Sequence, residues 1–154
     1  MLATVHFRNV SCLQNLIADT SSMCPRTKAM KENKKEKVLC VEDNEDECEL
    51  IKEILHDFEV ICVSTVSDAC QHMDDAKYAL IILDEHLPDG SGMHFCKEIS
   101  RTNTDTPIVM VSGDTYITAA EAQAAGAKCL LTKSSVTYIE DLDRIAQRYA
   151  VATA

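Results

Sequence analysis

The sequence predicts a three-layer, doubly wound α/β domain, and three observations support this prediction. Five apolar runs alternate with segments of helical spacing between residues 37 and 154. The runs are continuously apolar, which is typical of parallel strands that are buried on both faces. Because crossovers between parallel strands are right-handed, the intervening helices are expected to cover both sides of the sheet.

Short runs rich in Val, Ile and Leu indicate the strands. Each run is bounded by polar or turn-forming residues, and each has the length of an ordinary strand. The five candidate strands are Val38–Val41, Glu59–Val63, Tyr78–Leu83, Pro107–Val111 and Ala127–Leu131.

Segments that follow these runs have the spacing of amphipathic helices. In the first segment, Cys48, Ile51 and Leu55 share one face. Ser67 is the candidate N-cap of the second helix, and Gly126 is the candidate C-cap of the Ala-rich fourth helix. The predicted helices are Glu45–Asp57, Ser67–Asp75, Met93–Ser100, Thr115–Ala125 and a last helix that begins near Ser134 or Ser135.

Charge divides the chain into two regions. Residues 1–36 contain six Lys or Arg and three Asp or Glu, whereas residues 37–154 contain nine and 22, so the overall charge of −10 comes from the second region. The first region is rich in Ser and Lys, and we expect a flexible or poorly ordered N-terminal extension at 1–36 before a domain at 37–154. A domain this acidic is expected to repel nucleic acid rather than bind it directly.

Eight cysteines suggest a disulfide framework at first sight, but their spacing argues against one. The sequence contains no C-x-x-C pair and no Cys/His cluster with the spacing of a zinc site. Several cysteines, such as Cys40 and Cys62, fall inside apolar runs, as buried free thiols do. Free thiols and the lack of a secretory signal indicate a cytoplasmic location, and no run approaches the ~18 apolar residues of a membrane span.

Polar side chains follow four of the predicted strands at the point where each strand ends. They are Glu42 and Asp43 after the first strand, Asp84 after the third, Ser112 after the fourth and Lys133 near the end of the fifth. Ligands of doubly wound sheets bind beyond the carboxyl ends of the strands, so we expect these side chains to crowd one edge. Three carboxylates there would repel one another. A divalent cation relieves that repulsion, and Mg²⁺ typically binds one or two carboxylates and keeps several waters.

This set of residues suits phosphoryl transfer to a carboxylate. An aspartate can act as a nucleophile and form a covalent aspartyl phosphate, and Asp84 is the candidate acceptor. The phosphoryl oxygens carry negative charge, which Mg²⁺, Lys133, the Ser112 hydroxyl and loop N–H groups would share. The residues therefore predict that Asp84 accepts a phosphoryl group from a donor that supplies the leaving group.

Four segments resemble the response-regulator receiver domain of two-component systems, a CheY-like domain. They are Val38-Leu39-Cys40-Val41-Glu42-Asp43-Asn44, Leu80 to Gly92 with Asp84, Pro88 and Gly90 inside it, Pro107 to Gly113, and Ala125 to Lys133. The segments occur in the order and spacing of the family, and the resemblance covers about residues 37–150. It implies a five-stranded parallel sheet in the order 2-1-3-4-5 with helices on both faces.

The resemblance also implies a role for each site residue. Asp84 is the expected phosphoacceptor, Ser112 is the expected switch hydroxyl, and Lys133 corresponds to the invariant lysine of the family. The expected Mg²⁺ ligands are Glu42, Asp43, Asp84 and the backbone carbonyl of His86, with Asp43 favoured over Glu42 as a direct ligand. The implied partners are a histidine kinase or histidine phosphotransfer protein and an unknown downstream protein.

We expect a stand-alone receiver that signals through protein contacts and catalyses only its own phosphotransfer and slow dephosphorylation. Two departures from the family pattern leave an alternative open. Ser134 stands where the family usually has Pro, and Leu130 stands where the family usually has its switch aromatic. The alternative is a degenerate receiver that acts as a phosphorylation-independent binding module. An aspartate-nucleophile phosphatase is disfavoured, because it needs a second Asp at position 86, which is His86 here.

Overall fold

A computed structural model describes residues 34–102 and 105–150 of the chain. The strands are β1 (Lys37–Val41), β2 (Glu59–Val63), β3 (Leu80–Asp84), β4 (His86–Leu87), β5 (Gly90–Ser91), β6 (Ile108–Ser112) and β7 (Cys129–Thr132). The helices are α1 (Glu45–Ile54), α2 (Val66–Asp75), α3 (Gly92–Thr102), α4 (Ala119–Ala124) and α5 (Tyr138–Ala150). Most of the predicted extension at 1–36 lies outside the described residues.

Five of the strands form one parallel sheet in the order β2-β1-β3-β6-β7. This is the predicted order 2-1-3-4-5 once the short pair β4 and β5 is set aside. These two strands form a separate antiparallel hairpin directly after β3, where the sequence indicated only a break in the chain. The predicted doubly wound fold is therefore confirmed.

The apolar strands separate two cores, one on each face of the sheet. Along β1, Leu39 and Val41 belong to one core, and Val38 and Cys40 belong to the other. Helices α2, α3 and α4 contribute buried residues to the first core, and α1 and α5 contribute to the second. This arrangement explains why the strands are apolar at every position and confirms three layers.

Two helices near the amino-terminal half differ from the prediction at their ends. Helix α1 begins after Asn44, whose side chain accepts hydrogen bonds from two first-turn N–H groups, but it ends at Ile54 rather than Asp57. Helix α2 begins at Val66, with Thr65 rather than Ser67 as its N-cap. Thr65 is a local cap, because its side-chain oxygen accepts a hydrogen bond from the N–H of Asp68 at 3.0 Å. The Asp89 carboxylate in the hairpin accepts hydrogen bonds from the N–H groups of Val66 and Ser67 at 2.8 and 3.0 Å. The first donors of α2 are thereby satisfied with the N-cap two residues earlier than predicted.

Helices α4 and α5 begin after their predicted starts. Helix α4 begins at Ala119 rather than Thr115, because Thr118 and Glu121 form a capping box there. Helix α5 begins at Tyr138, not at Ser134 or Ser135, and hydrogen-bonded turns occupy the residues before it. Helix α3 extends beyond its predicted bounds at both ends. None of these differences moves a predicted site residue away from the carboxyl end of its strand or the segment that follows it.

Gly126 follows the last turn of α4, as predicted, and the position requires glycine. Its φ is 107°, a backbone conformation that L side chains rarely adopt. A Cβ atom there would lie 1.9 Å from the hydroxyl oxygen of Ser100 on α3. Glycine therefore lets the chain turn from α4 into β7 against α3.

Cysteines within the described ranges are all free thiols, as the spacing predicted. Cys40, Cys48 and Cys96 are buried, whereas Cys70 is exposed. Among the helices of these same ranges, none has both the length and the apolar character needed to cross a membrane.

Candidate functional site

The register of the parallel sheet brings the predicted site residues to one edge. Leu83 is in register with Val41 on β1 and with Met110 on β6, and the next pair along is Asp84 with Val111. Ser112, the last residue of β6, is in register with Thr132 at the end of β7. Strands with aligned carboxyl ends thus deliver their terminal polar residues to the same place.

Three carboxylates meet at this edge. One carboxylate oxygen from each of Glu42, Asp43 and Asp84 lies within 4.8 Å of the other two. Glu42 and Asp84 are buried, with 3% and 5% of their surface exposed, whereas Asp43 is exposed. The predicted carboxylate cluster is therefore present, and Asp43 is its solvent-facing member.

Lys133 lies between the two buried carboxylates. Its Nζ is 2.6 Å from Glu42 Oε2 and 2.8 Å from Asp84 Oδ1. The backbone N–H of Lys133 donates to the carbonyl of Ser112 at 2.9 Å, which holds the loop after β7 against β6. With three carboxylates ionised and one ammonium, the cluster carries a net charge of about −2, which one divalent cation would balance.

Burial and neighbouring charges shift the pKa values of Glu42 and Lys133. Burial raises the pKa of the Glu42 carboxyl above its ordinary value, and the charge of Asp84 adds to the rise, although Lys133 opposes it. Burial alone would lower the pKa of Lys133, but hydrogen bonds and charges from Asp84 and Glu42 outweigh burial and raise it. The Lys133 side chain therefore carries a positive charge at neutral pH.

The loop after β3 holds Asp84 tightly. The N–H of His86 donates to Asp84 Oδ2 at 2.6 Å, and the N–H of Gly92 donates to the Glu85 carbonyl at 2.8 Å. A Cβ atom on Gly92 would lie 2.0 Å from the carbonyl oxygen of Asp84, so only glycine allows α3 to begin this close to β3. The Glu85 carboxylate accepts hydrogen bonds from the Ser91 hydroxyl and the N–H of Met93, which close the hairpin.

Ser112 is almost completely buried at the end of β6. Its hydroxyl oxygen accepts a hydrogen bond from the N–H of Asp114 at 3.0 Å. A serine hydroxyl that accepts one hydrogen bond can still donate its own hydrogen. Ser112 can therefore offer a donor at the sheet edge that holds Asp84.

The oxygen atoms at this edge are hard ligands, and their number and charge suit Mg²⁺. Glu42, Asp43 and Asp84 are brought together as predicted. His86 lies on β4, two residues beyond Asp84, and the metal-binding role of its carbonyl stays a prediction.

Sequence reasoning missed two carboxylates that shape the site. Glu85 closes the hairpin after Asp84, and Asp89 at its tip caps α2. A Glu eight residues before Met93 has no local signature, and Asp89 lies 23 residues from Val66. The direct contact between Lys133 and Glu42 joins residues 91 positions apart and was also missed.

Comparisons with known proteins agree on the fold. The sequence model of the family described as "Response regulator receiver domain" matches residues 38–144. The uncharacterized transcriptional regulatory protein YclJ of Bacillus subtilis (strain 168) is 28% identical over 117 residues, and the match covers 73% of this chain and 52% of that protein. The chain thus spans about half the length of this curated relative.

Two solved structures illustrate the similarity of fold. The signal receiver domain of a protein assigned as a Luxo repressor from Vibrio parahaemolyticus is 27% identical with a TM-score of 0.68, covering 77% of this chain and 92% of that chain. The response regulator protein TrrA from Thermotoga maritima, solved in complex with Mg²⁺-BeF, is 23% identical with a TM-score of 0.66, covering 74% of this chain and 98% of that chain.

Proposed function

Because this chain belongs to the family of response regulator receiver domains, we propose that Asp84 accepts a phosphoryl group from the phosphohistidine of a histidine kinase or a histidine phosphotransfer protein. One observation carries this proposal. Asp84 is a buried carboxylate that Lys133 and the His86 N–H hold from two sides, at the edge where Glu42 and Asp43 supply further oxygen ligands. The resulting acyl phosphate would be the signalling state.

In this transfer, Asp84 supplies the nucleophile and the donor supplies the leaving group. A carboxylate oxygen of Asp84 attacks the phosphorus atom of the phosphohistidine, and a P–O bond forms. The P–N bond breaks at the same centre, and its electron pair stays on the imidazole nitrogen. The acyl phosphate carries more negative charge than the carboxylate did, so the Lys133 ammonium, 2.8 Å from Asp84 Oδ1, is attracted more strongly in the product.

Glu42, Asp43 and Asp84 would hold Mg²⁺ in this scheme. The bound cation would neutralise charge on the phosphoryl oxygens. The three carboxylates and Lys133 together carry a net charge of about −2, which attracts a divalent cation and supports this assignment. The Ser112 hydroxyl would donate to a phosphoryl oxygen, which its place at the end of β6 supports.

A direct test uses acetyl phosphate as a small-molecule donor. Incubation with Mg²⁺ is expected to add the mass of one phosphoryl group to the full chain, and hydroxylamine, which cleaves acyl phosphates, is expected to remove it. Asp84→Asn is expected to abolish the mass gain, and a matched change at the exposed Asp143 of α5, Asp143→Asn, is expected to leave it intact. Omission of Mg²⁺ with EDTA present is expected to slow the reaction strongly. An equal mass gain in Asp84→Asn contradicts the proposal.

Leu130 supports a second candidate, a receiver that binds partners independently of phosphorylation. Leu130 is half-buried on β7, paired with Met110 and packed against the core shared with α2, α3 and α4. A leucine packed against the core has no hydroxyl or ring that could reorient if the hydroxyl of Ser112 moved. Amide hydrogen exchange decides between the candidates: protection that changes in β7 and α5 on phosphorylation supports the switch, and unchanged protection supports the binding module.

We further propose signalling by protein contact in the cytoplasm. The acidic charge of residues 37–154 supports a protein partner over nucleic acid. Action without an effector domain in the same polypeptide stays a prediction.

A further inference from the structure

Three cysteines outside the carboxylate cluster converge on one point. The sulfur atoms of Cys40, Cys48 and Cys62 all lie within 4.8 Å of one another. Cys40 and Cys62 are register partners on the adjacent parallel strands β1 and β2, so their side chains lie on the same face of the sheet. Helix α1 covers that face and brings Cys48 to them. The spacing of the three residues along the chain gives no sign of this arrangement.

The cluster is buried on one side and accessible on the other. Cys40 and Cys48 are buried, and Cys62 is half-buried. Cys48 and Cys62 line an open cleft, and Glu42 and Asp43 of the carboxylate cluster line the same cleft. A cation can therefore reach Cys48 and Cys62 from solvent, and the buried Cys40 sulfur lies within 4.8 Å of both. The acidic lining of the cleft attracts cations.

The distances fit a metal ion better than they fit other uses of cysteine. Sulfur ligands that each lie about 2.3 Å from one ion are roughly 3.7–4.0 Å apart. Because the three sulfur atoms lie within 4.8 Å of one another, each pair needs to approach by at most about 1 Å to bind a shared ion. A disulfide has an S–S distance of about 2.05 Å and joins two sulfurs, so it leaves the third unexplained. If the cysteines served only as small apolar groups of the core, their burial would be explained, but the convergence of three sulfur atoms on one point would not.

We propose that Cys40, Cys48 and Cys62 bind one thiophilic cation, Zn²⁺ or Cu⁺. Thiolate ligands select these soft or borderline-soft ions over hard cations such as Mg²⁺. Three thiolates satisfy Cu⁺ directly, and Zn²⁺ would take a solvent molecule from the cleft as its fourth ligand. The site is separate in chemistry from the carboxylate cluster, because that cluster offers only oxygen ligands. The proposal does not depend on phosphorylation of Asp84.

The experiment uses the full chain with Cys12, Cys24 and Cys70 replaced by Ser. Cys70 is exposed, and the other two lie outside the described residues. The reduced protein is titrated with Cd²⁺, a spectroscopic probe for thiolate sites, in excess Mg²⁺ that occupies the carboxylate cluster. The expected result is one equivalent of Cd²⁺ per chain, with the ultraviolet absorption of thiolate-to-metal charge transfer. Zn²⁺ or Cu⁺ is expected to displace it.

Two variants in this background test the assignment. Cys62→Ser removes the most accessible of the three ligands. It is expected to weaken Cd²⁺ binding by about 100-fold or more, because loss of a residue that only hydrogen-bonds to a metal ligand already costs roughly 10–100-fold. Cys129→Ser, a half-buried cysteine that is not among the three clustered thiols, is the matched control and is expected to bind normally. Circular dichroism checks that both variants fold.

Three results would overturn the proposal. They are absence of a charge-transfer band, equal binding by Cys62→Ser and Cys129→Ser, and loss of two free thiols as a disulfide in place of metal binding. If Cys62→Ser fails to fold, X-ray absorption on the parent protein decides the question. Three sulfur neighbours around the ion support the site, and fewer than three contradict it.

Discussion

Lys133→Met is the substitution that best tests the electrostatics of the site. It keeps the length and apolar stem of the side chain but removes the ammonium that contacts Glu42 at 2.6 Å and Asp84 at 2.8 Å. The side chain of Lys133 is 17% exposed, and those of Glu42 and Asp84 are 2% and 7% exposed. The change therefore leaves two buried carboxylates without their cation.

The expected loss of stability follows from these distances. At an effective dielectric constant near 20, each contact has a Coulomb energy of about 6 kcal/mol, and desolvation of the charges offsets much of this. Removal of one partner from a buried pair typically costs about 3–5 kcal/mol. Burial already raises the pKa of Glu42, so Glu42 can take up a proton in the variant and limit the loss. We therefore expect about 3 kcal/mol at pH 7 in EDTA.

The sign of the pH dependence follows from the same raised pKa. A carboxyl whose pKa is higher in the folded state contributes stability below its unfolded pKa and loses it as pH rises through the folded pKa. Without Lys133, the pKa of Glu42 rises further. The deficit of the variant is therefore expected to be smallest near pH 4 and to grow as pH rises from there.

Urea unfolding followed by circular dichroism measures this loss. Lys37→Met is the matched control, because Lys37 forms a partly exposed ion pair of 3.7 Å with Glu59 and its loss is expected to cost less than about 1 kcal/mol. Mg²⁺ is expected to restore much of the stability of Lys133→Met, since it supplies positive charge to the same carboxylates. Equal losses for the two variants in EDTA, or no response to Mg²⁺, refute the reasoning.

Three further predictions concern the loops around the site. Gly92→Ala is expected to cost about 3 kcal/mol and to slow phosphorylation, because the new Cβ meets the Asp84 carbonyl oxygen at 2.0 Å; wild-type urea stability contradicts it. Gly126→Ala is expected to cost about 1–3 kcal/mol in urea unfolding. An added Ser100→Ala change should recover little of this loss, because it removes the hydroxyl contact at 1.9 Å but keeps the Cβ atom at 2.5 Å and the strain of φ 107°. Hydrogen bonds from Val66 and Ser67 lower the pKa of Asp89. Asp89→Asn should therefore destabilise the protein at neutral pH, with an effect that disappears below the lowered pKa in acid.

The sheet could be predicted because its strands carry their information locally. A run such as Leu80 to Asp84 is buried along its whole length, so its composition alone indicates a central parallel strand. Once the strands are parallel, chain connectivity places their ends on one edge. That is why Asp84 and Ser112 could be placed at the same edge from sequence.

Features that depend on distant residues could not be predicted in this way. The first N–H groups of α2 donate hydrogen bonds to Asp89 in the hairpin after β3, 22 and 23 residues away. The start of α4 is a different case, because the Thr118 and Glu121 capping box is a local signal. The alanines follow Thr118, and the prediction extended their helix back to Thr115 across the capping box.

Both proposed sites depend on β1, and this decides which substitutions are informative. Cys40 is completely buried in a strand that pairs with β2 on one side and β3 on the other, and it lies two residues before Glu42. A change at Cys40 would disturb the core, the thiol cluster and the carboxylate cluster together. Cys62 on the edge strand β2 and Lys133 beyond β7 each belong to one site only. Loss of metal binding in Cys62→Ser with normal phosphorylation would therefore show that the two sites act separately.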